Sequence, residues 1–130
     1  MSAENARLLL RIYETPEDDG FGALLEIASD DIVWISDPRM PGGGRFEGKE
    51  ATRRYLEGLG VFTREALDVE RVVDLGDRIL GMTTIRAKPP DGPSVEWVWC
   101  QLVTFRDGLI TEVRSFLDRE RALEAAGLSE

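Results

Sequence analysis

Apolar positions recur at helical spacing in the first half of the chain and alternate in the second. Ala6, Leu9, Leu10 and Tyr13 fall on one face of a first helix, with Ser2 as its N-cap and Thr15-Pro16 as its stop. Asp18-Asp19-Gly20 opens a short second helix with Phe21, Leu24, Leu25 and Ala28 on its apolar side. The apolar run Ile32-Val33-Trp34-Ile35 predicts a buried strand from Asp31 to Ser36. Pro38 to Gly48 reads as a Gly-rich loop, and Lys49 to Leu59 as a third helix burying Ala51, Tyr55 and Leu59.

Strands follow. Leu67, Val69, Val73 and Leu75 mark the first long one, and Gly76-Asp77 its turn. Arg78 to Lys88 and Ser94 to Phe105 are the next two, separated by Pro89-Pro90-Asp91-Gly92. Arg106-Asp107-Gly108 turns the chain into Leu109 to Leu117. Asp118 caps a closing helix that runs to Ala126, with Gly127 as its stop. Helices first and a strand meander afterwards predict an α+β fold, a single domain over 1–130. The sheet is expected to be a curved antiparallel one, wrapped like a cone around the N-terminal helices with a pocket between.

Alternation places Trp97, Trp99 and Gln101 on one strand face. A three-residue turn at 106–108 would pair Phe105 with Leu109, Trp99 with Ser115 and Gln101 with Val113. Val113, Ser115 and Leu117 then join the tryptophans on that face, while a two-residue turn would shift the register. The other face carries Val98, Cys100, Leu102, Ile110 and Phe116, too apolar to stay wet, so a helix or a second subunit must cover it. On the preceding strand Leu80, Met82 and Thr84 are pocket candidates, with Ile79, Gly81, Thr83 and Ile85 the opposite set.

Charge and composition narrow the chemistry. The 130 residues carry a net charge of −9, which disfavours nucleic acid and anionic membrane surfaces. No segment reads as a signal peptide or a membrane span, and one cysteine forms no internal disulfide, so a cytoplasmic setting is expected. There is no histidine, so His-based triads and His-ligated zinc are excluded. Acid–base work would fall to Asp, Glu, Tyr, Lys or Cys100. Gly42-Gly43-Gly44 lacks the GK[ST] ending of a phosphate loop and reads as a flexible rim or lid over the pocket.

The order of elements, the phrase DDIVWISDP, the loop PGGGRFEGKEA and the phrase TFRDGLITEVRSFLDRERAL resemble the nuclear transport factor 2-like superfamily. They resemble its SnoaL-like polyketide cyclase branch most closely, over nearly the whole chain. The resemblance implies a cystatin-like α+β barrel, a homodimer through the outer sheet face, and a pocket for a small apolar or aromatic metabolite, with no cofactor and no metal. By similarity to ketosteroid isomerase, Tyr13 matches the helix-one tyrosine and Asp37 the general base. The position of the second, protonated aspartate falls on Gln101, whose amide donates without any pKa shift.

Each candidate has two readings. Asp37 is a general base with its pKa raised by an apolar pocket, or an Asp-Pro turn residue accepting backbone N–H bonds. Tyr13 donates to a substrate oxygen, or is a buried tyrosine with one hydrogen-bond partner. Trp34, Tyr55, Leu80, Met82, Trp97, Trp99, Val113, Ser115 and Leu117 line the pocket, Tyr55 supporting Tyr13 or simply lining, or they fill the core. The function is accordingly either a cofactor-free isomerase, cyclase or dehydratase, or a non-catalytic ligand-binding or dimerisation module. Fold does not choose between them.

Overall fold

The computed structural model describes residues 2–15, 18–40, 42–59 and 62–128, the side chains at 2 and 18–21 excepted. The expected cap Ser2 and the apolar Phe21 therefore lie outside the described side chains. The elements run α1 (Ser2–Glu14), α2 (Asp18–Glu26), β1 (Ala28–Ile35), β2 (Arg45–Glu47), α3 (Lys49–Leu59), β3 (Thr63–Asp74), β4 (Arg78–Lys88), β5 (Val95–Arg106), β6 (Leu109–Phe116) and α4 (Arg119–Ala125). One six-stranded sheet has the order β2-β1-β6-β5-β4-β3. It is open, with β2 and β3 at its edges. The α+β expectation holds, with one refinement: β1 lies parallel to β6, and every other pair is antiparallel.

β2 was not expected. Three residues of the Gly-rich loop pair with the end of β1, Trp34 facing Phe46. The rest of that loop is tied down: Met40 N–H donates to Asp37 O (2.9 Å), Gly43 N–H to Met40 O (2.8 Å) and Ser36 N–H to Gly44 O (2.8 Å). A Cβ on Gly43 would stand 2.5 Å from Asp37 O, so only glycine fits there. These are successive hydrogen-bonded turns rather than a loose rim.

The hairpin between β5 and β6 corrects the expected register. Asp107 (φ 53°) and Gly108 (φ 81°) form a two-residue turn with both central residues at positive φ, and Arg106 pairs with Leu109. A bulge between Thr104 and Phe105 in the ladder then adds one more step, so Gln101 pairs with Ser115 and Val103 with Val113. The two one-residue shifts sum to two, and a shift of two keeps each side chain on its face. The partners are therefore not the expected ones, yet Trp97, Trp99, Gln101, Val113, Ser115 and Leu117 still share the inner face. Ile110 does not follow: it sits beside the bulge and is fully buried in the inner core, not on the outer face.

The inner face packs on Leu9, Ile12 and Tyr13 of α1, Leu24 and Leu25 of α2, and Tyr55, Leu56 and Leu59 of α3. α4 covers part of the outer face. Ala122, Leu123 and Ala126 cover Leu80, Met82, Cys100 and Leu102, with Val98 and Phe116 partly buried at the margin. α4 is well terminated: Asp118 accepts from Arg121 N–H (2.8 Å), and Leu128 N–H and Gly127 N–H return to Leu123 O and Glu124 O in a Schellman arrangement. Among the described residues no helix is long and apolar enough to cross a membrane.

Candidate functional site

The register draws a polar line across an otherwise apolar surface. Gly81 of β4 pairs with Gln101 of β5, which pairs with Ser115 of β6. Ile35 pairs with Arg114, so one further step brings Ser36, just past the end of β1, level with Ser115. Ser36, Ser115 and Gln101 are all buried. On either side of the line lie Trp34, Val113, Val103 and Ile79 in one direction and Trp99 and Thr83 in the other.

Both ends of the line are closed by tyrosines from the helices. Tyr13 of α1 donates to Oε1 of Gln101 (3.0 Å), and its ring lies over Gly81, where any Cβ would strike the phenol. A glycine inside a β-prone strand marks close approach of another group, and here the group is Tyr13. Tyr55 of α3 shares a 2.6 Å hydrogen bond with Ser36 Oγ and stacks on Phe46 at 4.4 Å between centroids. It does not reach Tyr13. Burial pushes both phenols above their ordinary pKa of 10.

The middle of the line lacks hydrogen-bond partners. Ser115 Oγ is buried and has no hydrogen-bond partner, and Gln101 uses only its Oε1. The indole N–H groups of Trp34 and Trp97 are buried without a partner as well. Buried polar groups are usually paired, so the Ser115 hydroxyl and these two indoles mark the inner face as unfinished.

Asp37 is not unfinished. It follows β1 and is 5% exposed. Oδ1 accepts from Arg39 N–H (3.0 Å) and Arg39 Nε (2.9 Å); Oδ2 accepts from Arg39 Nη2 (2.7 Å) and Leu117 N–H (3.0 Å). Four donors occupy the roughly four acceptor sites of a carboxylate. The Arg39 hydrogen bonds outweigh desolvation and hold the carboxyl far below its usual range. This corrects the expected upward shift, which assumed an apolar environment. The main-chain bond from residue 39 is the Asx-turn contact, and Leu117 N–H fastens the end of β6 to β1. Arg39 also reaches Asp118, the cap of α4 (3.1 Å), so one guanidinium joins the loop to the closing helix.

Of the expected pocket residues, Trp34, Tyr55, Trp97, Trp99, Val113, Ser115 and Leu117 belong to the inner face. Leu80 and Met82 do not. They pair with Leu102 and Cys100 and lie under α4, because residues directly opposite in a ladder share a face and Gly81 is the residue opposite Gln101. The set Ile79, Gly81, Thr83 and Ile85 faces inward instead. Thr83 donates to the carbonyl of Trp99 (2.7 Å). Gly81, Ser36, Phe46 and Arg39 were the residues whose part was not anticipated. Among the described residues no three His, Cys, Asp or Glu side chains converge as metal ligands would.

The profile of the SnoaL-like domain matches residues 9–113. The chain belongs to the SnoaL-like domain family. Among solved structures this SnoaL-like domain is similar to a candidate SnoaL-like polyketide cyclase from Mesorhizobium loti, at 24% identity and TM-score 0.77, covering 89% of this chain and 98% of that one. It is also similar to a candidate SnoaL-like polyketide cyclase from Jannaschia sp. CCS1, at 21% identity and TM-score 0.76, covering 99% and 95%. TerC, co-crystallised with polyporic acid, aligns at 19% identity and TM-score 0.72, covering 95% and 98%. These likenesses establish the cone-shaped fold. Comparison with curated proteins finds no match.

Proposed function

We propose that this SnoaL-like domain binds a small, flat, mostly apolar molecule on its inner face and does so without proton abstraction by Asp37. The observation that carries the reading is the contrast between two sets of polar groups. Asp37 has all its acceptor positions filled, whereas Ser115, the Gln101 amide nitrogen and the indoles of Trp34 and Trp97 have unfilled ones. A general base needs a free lone pair directed at the substrate. A recognition surface needs unfilled hydrogen-bonding groups set among apolar ones. The co-crystallisation of TerC with polyporic acid supports an organic ligand for a domain of this shape.

In this reading Tyr13 is a positioning residue. By donating to Oε1 it turns the Gln101 amide so that Nε2 is the end left for a ligand. Trp97 and Trp99 supply the flat apolar wall. An enzymatic variant, enolate stabilisation by Gln101 during isomerisation, cyclisation or dehydration, needs a base other than Asp37 as it is held here.

The test is an NMR titration of the three indole N–H signals against phenols, naphthols and cyclic enones. Saturable shifts of Trp97 and Trp99 signals are expected. If every compound leaves them in place, the inner face is a filled core and the reading fails.

Self-association is proposed separately. Val98 and Phe116, left partly buried beside α4, would form the apolar centre of a homodimer through the outer sheet face. Sedimentation of wild type and Phe116→Glu tests it; two identical monomer profiles would sink it.

A further inference from the structure

The ligand's chemistry follows from which groups are left over, given the inner-face binding reading above. Of the four unfilled groups, the Gln101 amide nitrogen and the Trp34 and Trp97 indoles can only donate; the Ser115 hydroxyl can donate or accept. The acceptors nearby each already hold one hydrogen bond: Gln101 Oε1 accepts from Tyr13, and the Ser36 and Tyr55 hydroxyls share one. The buried polar residues of the described structure are Asn5, Ser36, Asp37, Thr52, Thr83, Gln101 and Ser115. Only Asp37 among them is charged, and Arg39 already balances it.

We infer that the Ser115–Gln101 pair at the centre of the inner face selects a neutral ligand carrying a hydrogen-bond-accepting oxygen, such as a ketone, and rejects the carboxylate of the same shape. The two residues are ladder partners, so their side chains stand side by side on one face, within reach of one oxygen. An acceptor placed there pairs the Ser115 hydroxyl, which burial otherwise leaves unmatched, and that is the condition under which a polar contact contributes most. A carboxylate would gain the same hydrogen bonds. It would also leave water with no cation beside that pair, since the inward-facing Arg64, opposite Ala87, lies six positions along β4 from Gly81 and donates to Thr15 O, and an unpaired buried charge is the larger effect. Net charge of the whole chain, −9, adds to the exclusion of anions.

The experiment uses three probes of one shape: 2-acetylnaphthalene, 2-isopropylnaphthalene and 2-naphthoate. Binding to wild type, Ser115→Ala and Ser115→Thr is measured by calorimetry and by the indole signals. The expected result is that the ketone binds wild type at least tenfold more tightly than the hydrocarbon, with the carboxylate weakest. Ser115→Ala reduces the ketone's advantage over the hydrocarbon several-fold; Ser115→Thr, which keeps the hydroxyl, retains the advantage. Ser115→Ala also melts no lower than wild type without ligand, because it deletes an unmatched polar atom. Equal affinity of ketone and hydrocarbon, or an advantage that survives Ser115→Ala, overturns the inference and leaves inner-face binding standing. Failure of all three probes to bind overturns both.

Discussion

Tyr13 and Gln101 lie 88 residues apart in sequence and meet at 3.0 Å in the buried interior, phenol donating to amide oxygen. This bond ties the first helix to the centre of the sheet. It also fixes which end of the amide faces the unfilled part of the inner face. Both residues were site candidates, and the structure joins them to each other.

Gly81 makes that contact possible, since its missing Cβ is the space the Tyr13 ring occupies. Gly81→Ala is expected to displace Tyr13, break its bond to Gln101 and destabilise the domain by about 1–3 kcal/mol, the usual cost of overpacking. Thermal unfolding checks the first part. The Gln101 side-chain amide signals, which should broaden or shift, check the second.

Asp37 predicts a pH dependence. Its folded pKa lies below the ordinary 3.8, and that of Glu70, paired with Arg119, is lowered from 4.5 to about 2. Below the ordinary values the unfolded chain takes up protons that the folded one does not. The stabilisation is therefore complete above about pH 5 and is lost progressively as pH falls from there towards 2. Asp37→Asn is expected to lower stability at pH 7 by about 1–2 kcal/mol, mostly through the contact to Leu117 N–H, since the Arg39 side chain is half exposed and screened. Its stability should fall less steeply than that of wild type between pH 5 and 2. Denaturant titrations across that range give both numbers.

Cys100 is fully buried beneath α4, and burial pushes its thiol up to about 11. Both effects suppress reaction with a disulfide reagent. Asp118→Ala removes the cap of α4 and its link to Arg39. The rate of thiol labelling should then rise several-fold through local opening of the helix, with little change in global unfolding. An unchanged rate would show that α4 is not what shields the thiol.

Much of this fold was legible because period and punctuation agree. Lys49–Leu59 and Arg78–Lys88 have the boundaries that their apolar spacing and flanking Gly, Pro and Asp residues indicate. β2 was missed because three residues inside a Gly-rich loop carry no period of their own. The inner-face set of β5 and β6 was legible through alternation alone, although the turn and bulge that set the pairs were not. On β4 alternation left both sets open, and the residue that decides between them is Gly81, whose missing Cβ admits the Tyr13 ring. At Asp37 the turn reading, a carboxylate accepting backbone N–H bonds, was legible, while its lowered pKa was not. Its partner Arg39 is two residues away on the Gly-rich loop, where no spacing marks it as a partner, and the Leu117 N–H is contributed 80 residues later.

The central claim is that the inner face recognises a ligand while Asp37 holds the loop, β6 and α4 together rather than removing protons. Its most direct test is exchange of the α-protons of 2-tetralone in deuterated buffer, followed by NMR with wild type and Asp37→Asn. The account predicts that exchange in the presence of either protein runs at the rate of buffer with matched carboxylate, while the ketone still shifts the indole signals. Exchange accelerated by wild type and abolished by Asp37→Asn, with binding retained, would contradict it and restore Asp37 as a base.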